Sequence, residues 1–275
     1  IDGDIVLVKI GTEKTDGEYI STITKTIGQK TDKDIDIKMI YEKYNIDIDF
    51  SKEALEEAKN LPTSVDESDL KGRVDLRNLD VVTIDCDNTK DRDDAIYVEK
   101  LPNGNYRLYT CISSVNYYVK KGTKLYEECL KRITSFYPNN TCNPLFPTEL
   151  SNGICSLNEG VDRLTKTCEI EINKFGEVVD SKIYNSVINS KKAMKYSEVN
   201  RVLNGELIEG YEKFEEQLNL LKELNDALMS ARRKRNCIDF GINDIGILED
   251  ERGNVEKFET RGSGLAESII ENCML

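Results

Sequence analysis

Histidine is absent from this chain of 275 residues. That removes the usual general base and the commonest imidazole metal ligand together, so any catalysis has to run on carboxylates, metals, lysine, tyrosine or cysteine. Eight cysteines, at positions 86, 111, 129, 142, 155, 168, 237 and 273, include no C-x-x-C pair. Without close-set thiolates a zinc site has no ligand set, and free thiols in a reducing compartment are the expected state. No run approaches the roughly 18 consecutive apolar residues of a membrane helix. The first residue is Ile1, with no signal-peptide pattern after it. Positive charge is also short: 38 Lys plus Arg stand against 51 Asp plus Glu, a net charge of −13. That is the wrong sign for gripping phosphates by bulk charge. Cations can still bridge carboxylates to phosphates, so the deficit counts more against a simple binding module than against a metal enzyme. Both ends read as cut, the last in an apolar helical pattern through Cys273-Met274-Leu275, and the chain is expected to be a fragment of a longer protein.

What is present suits a globular chain, with 39% hydrophobic and 32% charged residues. Residues 1–30 alternate as strands, Ile5 to Ile10 and then Glu18 to Ile23, each about six residues long, like the end of a small β-barrel. Residues 31–70 read as a helical linker. Its stretch from Asp34 to Tyr44 is ambiguous, whereas Ser51 looks like an N-cap before Ala54, Leu55, Ala58 and Leu61. From Arg73 onward a second region begins. Val81-Val82-Thr83-Ile84 predicts a buried strand, and Asn103-Gly104 and Gly176 each predict a hairpin. Gly122 to Thr134 predicts a helix, and Tyr211, Phe214, Leu218, Leu221 and Leu228 predict a long amphipathic one. Strands return over Gly241 to Phe258 through Gly253-Asn254, and a last helix starts at Ala266. The expected fold class is α+β, a mixed and largely antiparallel sheet with packed helices.

The first strand of that region runs into an acidic stretch carrying Asp85, Asp91, Asp93 and Asp94, with Asp87 nearby. Two like charges ~4 Å apart at an effective dielectric near 20 repel by about 4 kcal/mol. Such a cluster persists only if its members protonate, face water or hold a cation. Oxygen ligands without thiolate or imidazole favour magnesium or manganese over zinc. A calcium loop fits less well, because Lys90 stands where an EF-hand needs Gly and Ile96 where it needs Glu. On chemistry alone a magnesium site, a solvated acidic loop and a calcium loop all remain open.

The wording of the stretch is more specific than its composition. Thr83-Ile84-Asp85 followed by Asp91-Arg92-Asp93-Asp94-Ala95 resembles the T-I-D…D-x-D-D-A signature of the ribonuclease II and R (RNB) family. Gly72-Arg73-Val74-Asp75-Leu76-Arg77, Glu149 to Asn158 (ELSNGICSLN) and Val161-Asp162-Arg163-Leu164 resemble further motifs of that family, in the same order. The first 75 residues are most similar to its ribonuclease R branch. The resemblance implies a cold-shock (OB) remnant over 1–30 and the N-terminal part of a catalytic domain over 71–275. It implies a processive 3′→5′ exoribonuclease releasing nucleoside 5′-monophosphates from single-stranded RNA, in a monomeric cytoplasmic protein that does not enter a membrane. Asp85, Asp91, Asp93 and Asp94 would hold one or two Mg2+ (or Mn2+) ions. Tyr137 would stack on a base near the 3′ end, and Tyr196 and Glu271 would read the sugar. Without the resemblance, Tyr137 reads as core filling, Tyr196 and Glu271 as ordinary helix residues, and Arg232 to Arg235 as a solvated helix end.

Two departures stand out. Cys111-Ile112-Ser113-Ser114-Val115-Asn116-Tyr117 replaces the family's H-I-A-D-V-S-H, losing two histidines and an aspartate. Arg92 replaces an apolar residue inside the signature, where it can pair with a neighbouring aspartate. A catalytic arginine and an S1 domain would lie beyond Leu275, so the fragment alone is expected to be inactive. A non-catalytic RNA-binding or regulatory relative is the alternative.

Overall fold

A computed structural model describes residues 2–138, 141–238, 244–250, 255–261 and 264–275. The chain runs β1 (Asp4–Thr15), β2 (Glu18–Gln29), α1 (Ile35–Tyr44), α2 (Lys52–Lys59), β3 (Val74–Asp75), β4 (Val82–Asp85), β5 (Asp94–Lys100) and β6 (Tyr106–Ser113). It continues through α3 (Val115–Tyr118), α4 (Lys124–Arg132), β7 (Asp162–Ile172), β8 (Val178–Asn189), β9 (Lys192–Lys195) and α5 (Tyr196–Leu203). The last elements are α6 (Glu215–Lys234), β10 (Asp244–Glu249), β11 (Val255–Arg261) and α7 (Leu265–Met274). Two compact units result. One gathers Ile1–Ser51, Glu128–Leu145 and Ile245–Arg261, and the other gathers Lys52–Glu127, Phe146–Asp244 and Gly262–Leu275.

In the first unit β1 and β2 form an antiparallel ribbon closed by Asp16 and Gly17, both at positive φ. That is the geometry a two-residue hairpin turn requires. The two strands are 12 residues each, longer than the six or so read from the sequence, because bulges after Ile5, Leu7 and Ile10 bend the ribbon without ending it. The ambiguous segment after Asp34 is helical and buries Ile35, Ile37 and Tyr41. The Tyr41 ring meets Phe136 edge-on at 5.9 Å. Arg132 lies 3.8 Å over Phe50 and donates to the Asp49 carbonyl and to Asn143 Oδ1, each at 2.8 Å. β10 and β11 pair as expected, while the Gly253-Asn254 turn between them lies outside the described residues.

The second unit is built on a seven-stranded sheet of order β3-β8-β7-β6-β5-β4-β9. The four inner pairings are antiparallel, and the outer pairs, β3 with β8 and β4 with β9, are parallel. This is the mixed, largely antiparallel α+β sheet expected from the hairpins. Alternation along each strand separates two faces. On one, Val82, Ile84, Ile96, Val98 and Leu108 pack with α5, α6 and α7 through Val199, Leu218, Leu221, Leu224 and Ile269, in one buried cluster. The other face buries Leu76, Val81, Ala95, Cys111, Leu157 and Ile188. Fully burying each such side chain contributes about 1.5–3 kcal/mol. The β7–β8 hairpin tip is tight: Gly176 has φ +78, and a Cβ there would collide with the Ala227 carbonyl of α6.

All eight cysteines are free. Cys111, at the position of a family histidine, is fully buried in the second face and accepts a hydrogen bond from Thr167 Oγ1 at 3.2 Å. Burial pushes its thiol up to about 12, so it is core rather than a reactive group. Tyr117, at the second histidine position, donates to Asp69 at 2.5 Å and lies under Arg73.

Candidate active site

β4 ends at Asp85 and the antiparallel β5 begins at Asp94, so the loop between them closes one end of the sheet. Val82, Thr83 and Ile84 are buried and fix the strand, and Asp85 is its first residue that is only partly buried. β9 lies parallel to β4 with Lys195 opposite Asp85, and α5 starts at the next residue, Tyr196. Asp93 is tied in from β6, its carbonyl accepting the Ser113 N–H at 2.9 Å. One sheet end therefore gathers all four aspartates of the signature together with Tyr196.

A clip from a distant segment sets the shape of the acidic loop. Ser156, fully buried, donates from Oγ to the Lys90 carbonyl at 2.8 Å and accepts the Arg92 N–H at 3.1 Å. The Leu157 N–H donates to the Arg92 carbonyl at 2.9 Å, and Arg92 donates from a terminal nitrogen to Asn158 Oδ1 at 3.1 Å. Arg163 clamps the clip from behind, donating to the carbonyls of Ser156 at 2.9 Å and Gly153 at 3.1 Å. The family-like stretches around residues 149–164 thus act as scaffold for the aspartate loop. Their sequence gives no hint of this, because the partners lie 64 or more residues apart.

Electrostatics at this end differ from those of an ordinary surface. Burial and the charges of Asp94 and Asp91 push Asp85 up to about 6, against a smaller lowering by Arg92. Asp93 is partly open to solvent, yet desolvation and the charges of Asp91 and Asp94 raise it too. Burial raises Asp94. Tyr196 is raised by burial and by facing Asp94 and Asp85. Asp85 Oδ2 is buried without a hydrogen-bond partner. Asp87, the fifth carboxylate, is taken up by Ser197, which donates to it at 2.7 Å.

An orphaned carboxylate oxygen among crowded, partly desolvated carboxylates fits a hard divalent cation by donor chemistry. The side chains do not close on one ion: among the described residues no three Asp, Glu, Cys or His converge tightly enough to hold a metal. Glu271, on α7, is exposed and paired with Arg232 at 3.1 Å. Arg232 also donates to Asn272 at 2.7 Å, so the first residue of the basic run braces α6 against α7. The α7 carboxylate that does influence Tyr196 is Glu267, which accepts from Asn200 at 3.0 Å. Tyr137 belongs to the other unit and is 61% exposed as a residue rather than filling a core.

Residues 73–275 match the RNB domain. The chain belongs to the RNB-domain family. Residues 1–51 match a cold shock domain, in keeping with the strand ribbon at the start of the chain. Ribonuclease R of Thermotoga maritima is 43% identical over 257 residues, which is 92% of this chain and 36% of that protein. RNase R of Mycoplasma genitalium, solved in complex with ribose methylated single-stranded RNA, matches at TM-score 0.92 and 29% identity, over 99% of this chain and 42% of that one. A second structure of the Mycoplasma genitalium protein, in complex with double-stranded RNA, matches at TM-score 0.92 over 99% of this chain and 48% of that one. The RNB chain described here spans about a third of the length of its curated relatives. Among the described residues no helix is long and apolar enough to cross a membrane.

Proposed function

We propose that this RNB chain is part of a 3′→5′ exoribonuclease that hydrolyses single-stranded RNA to nucleoside 5′-monophosphates. The observation that carries the reading is the gathering of Asp85, Asp91, Asp93 and Asp94 at one sheet end, with Asp85 Oδ2 buried and unpartnered. These four residues would hold Mg2+, with Mn2+ as its substitute. Bound metal supplies an activated water and offsets charge on the leaving 3′ oxygen, which answers the absence of histidine. Ser156, Asn158 and Arg163 keep the loop in register for that task. Tyr196 stands beside Asp85 and Asp94 with its hydroxyl protonated, a donor suited to a ribose oxygen. The exposed ring of Tyr137 suits sequence-independent stacking on a base. Glu271 would accept a sugar hydroxyl through its second oxygen, the first being paired with Arg232.

The RNA complexes of the Mycoplasma genitalium relative support an RNA substrate, and free thiols throughout suit a cytoplasmic protein. We take the protein to act as a monomer. The test is incubation of the full-length protein with labelled single-stranded RNA and Mg2+. Release of nucleoside 5′-monophosphates from the 3′ end is expected. RNA binding without any hydrolysis would instead establish the non-catalytic alternative. The 275-residue chain alone is expected to release little or nothing.

A further inference from the structure

Arg92 stands inside the aspartate signature, where the family resemblance leads one to expect an apolar side chain. Its backbone is fixed on both sides, by Ser156 Oγ at 3.1 Å and by the Leu157 N–H at 2.9 Å. One end of its guanidinium is fixed as well, on Asn158 Oδ1 at 3.1 Å. The Nε atom is different: it is buried and has no hydrogen-bond partner. It lies 3.9 Å from a second buried atom without a hydrogen-bond partner, Asp85 Oδ2 at the end of β4. That gap is too short to admit a bridging water and about 1 Å too long for a hydrogen bond. A full positive charge is thus tethered beside the most perturbed aspartate of the cluster, close enough to act on it and not bonded to it.

We propose that Arg92 is a resident counter-cation that competes with the divalent ion for Asp85, so that the chain itself tunes metal occupancy of the aspartate site. The inference rests on the reading of that site as metal-binding. Its physical basis is the opposite sign of one charge in two states. Without metal, the guanidinium offsets repulsion among Asp85, Asp91, Asp93 and Asp94. With metal, the same charge stands near the ion and weakens its hold. Arginine stays protonated at any accessible pH, so base does not relieve the competition. Relief comes from raising the metal concentration or from swinging the guanidinium about its Asn158 anchor. The backbone bonds of Arg92 to Ser156 and Leu157 do not involve the side chain, so Arg92→Gln keeps them and loses the side-chain bond to Asn158.

The experiment measures Mn2+ binding to the full-length protein by electron paramagnetic resonance, with Mg2+ as competitor, alongside the metal-free melting temperature. Arg92→Gln is expected to bind Mn2+ about tenfold more tightly, as removal of a nearby like charge predicts, and to melt at a lower temperature without metal. Arg92→Lys keeps the charge and should bind close to the parent. A merely structural arginine would lower both quantities together in Arg92→Gln. Mn2+ binding that is unchanged or weakened in Arg92→Gln therefore overturns the proposal. Asp93→Asn is the control for the underlying reading. If the parent binds no Mn2+, or Asp93→Asn binds as well as the parent, the metal site itself is refuted and the Arg92 inference falls with it. Should Arg92→Gln not fold, the unaltered protein still decides: the Arg92 Nε–H resonance must shift as Mg2+ is added, and one indifferent to Mg2+ overturns the proposal.

Discussion

Two groups of aspartates in the second unit receive opposite treatment. Asp75 on β3 and Asp162 at the start of β7 share Arg77, which donates to Asp75 at 2.6 Å and 2.9 Å and to Asp162 at 2.9 Å. Hydrogen bonds from the Arg77 side chain and backbone hold the Asp75 carboxyl down at about 2. At the other group, burial and mutual repulsion push Asp85 up to about 6, and the Arg92 guanidinium stays 3.9 Å away. Carboxylates that brace a fold are supplied with donors by the fold. Those at the end of β4 and β5 are crowded together, and Asp85 Oδ2 is left without a donor. An arrangement that costs stability and is kept anyway points to a ligand.

The sharpest way to break this contrast is to neutralise one member of the crowded group. Asp93→Asn in the full-length protein should lower RNA hydrolysis by more than 100-fold, since loss of even an outer-shell partner costs metal sites about 10–100-fold. RNA affinity should stay near parental in a filter-binding assay, and the metal-free melting temperature should rise because a repulsive charge is gone. Chelation of divalent ions should mimic the loss of hydrolysis in the parent. Unchanged Mg2+-dependent digestion by Asp93→Asn would remove the aspartates from the active site. Next in size is Ser156→Ala, which strips the Lys90 carbonyl and the Arg92 N–H of their shared partner. Metal affinity should fall about 10–100-fold, as for other groups that orient ligands. A titration of Mn2+ into the variant checks this, and unaltered affinity would mean that the loop keeps its shape without the clip.

The two aspartate groups were not equally legible in the sequence. Asp85 to Asp94 is local: a buried run, a turn of aspartates and a second strand stand within 14 residues, Val82 to Ala95. The hairpins at Gly104 and Gly176 and the long helix α6 were legible for the same reason. The Asp75–Arg77–Asp162 network was not, because β3 is two residues long and finds its place only by pairing with β8 more than 100 residues later. Nor was the Ser156 clip, whose partners meet only through tertiary packing. Asp34 to Tyr44 was ambiguous for another reason. Ile35-Asp36-Ile37-Lys38 alternates like a strand, and only burial of Ile35, Ile37 and Tyr41 together makes the helix worthwhile. Glu271 and Glu267 lie four apart on α7, and only the structure separates the one beside Tyr196 from the one paired with Arg232.

Both aspartate groups depend on one sheet, so a lesion in the sheet away from either should spare their difference. Gly176→Ala is such a lesion. It forces a Cβ into the Ala227 carbonyl at a backbone with φ +78. Loss of about 2–3 kcal/mol is expected from strain and overpacking, read as a lower midpoint in urea. Activity per folded molecule should be unchanged. A variant that melts normally would mean that the hairpin tip is not pressed against α6.

The smallest effect belongs to the braced group, and its sign follows from the lowered carboxyl of Asp75. A carboxyl whose folded value lies near 2 against 3.8 unfolded contributes stability that is complete above 3.8 and is lost as pH falls toward 2. Arg77→Gln removes the donor that lowers it. The stability gap between parent and variant should therefore be constant from pH 7 to pH 5, narrow as the pH falls through 3.8, and close near pH 2. Denaturant midpoints across that range measure it. Exposure of the pair keeps the gap modest and sensitive to salt. A gap that persists at pH 2 would mean that Arg77 stabilises the β3 edge through packing or through its other contacts, and the contrast between the two groups would then rest on Asp85 alone.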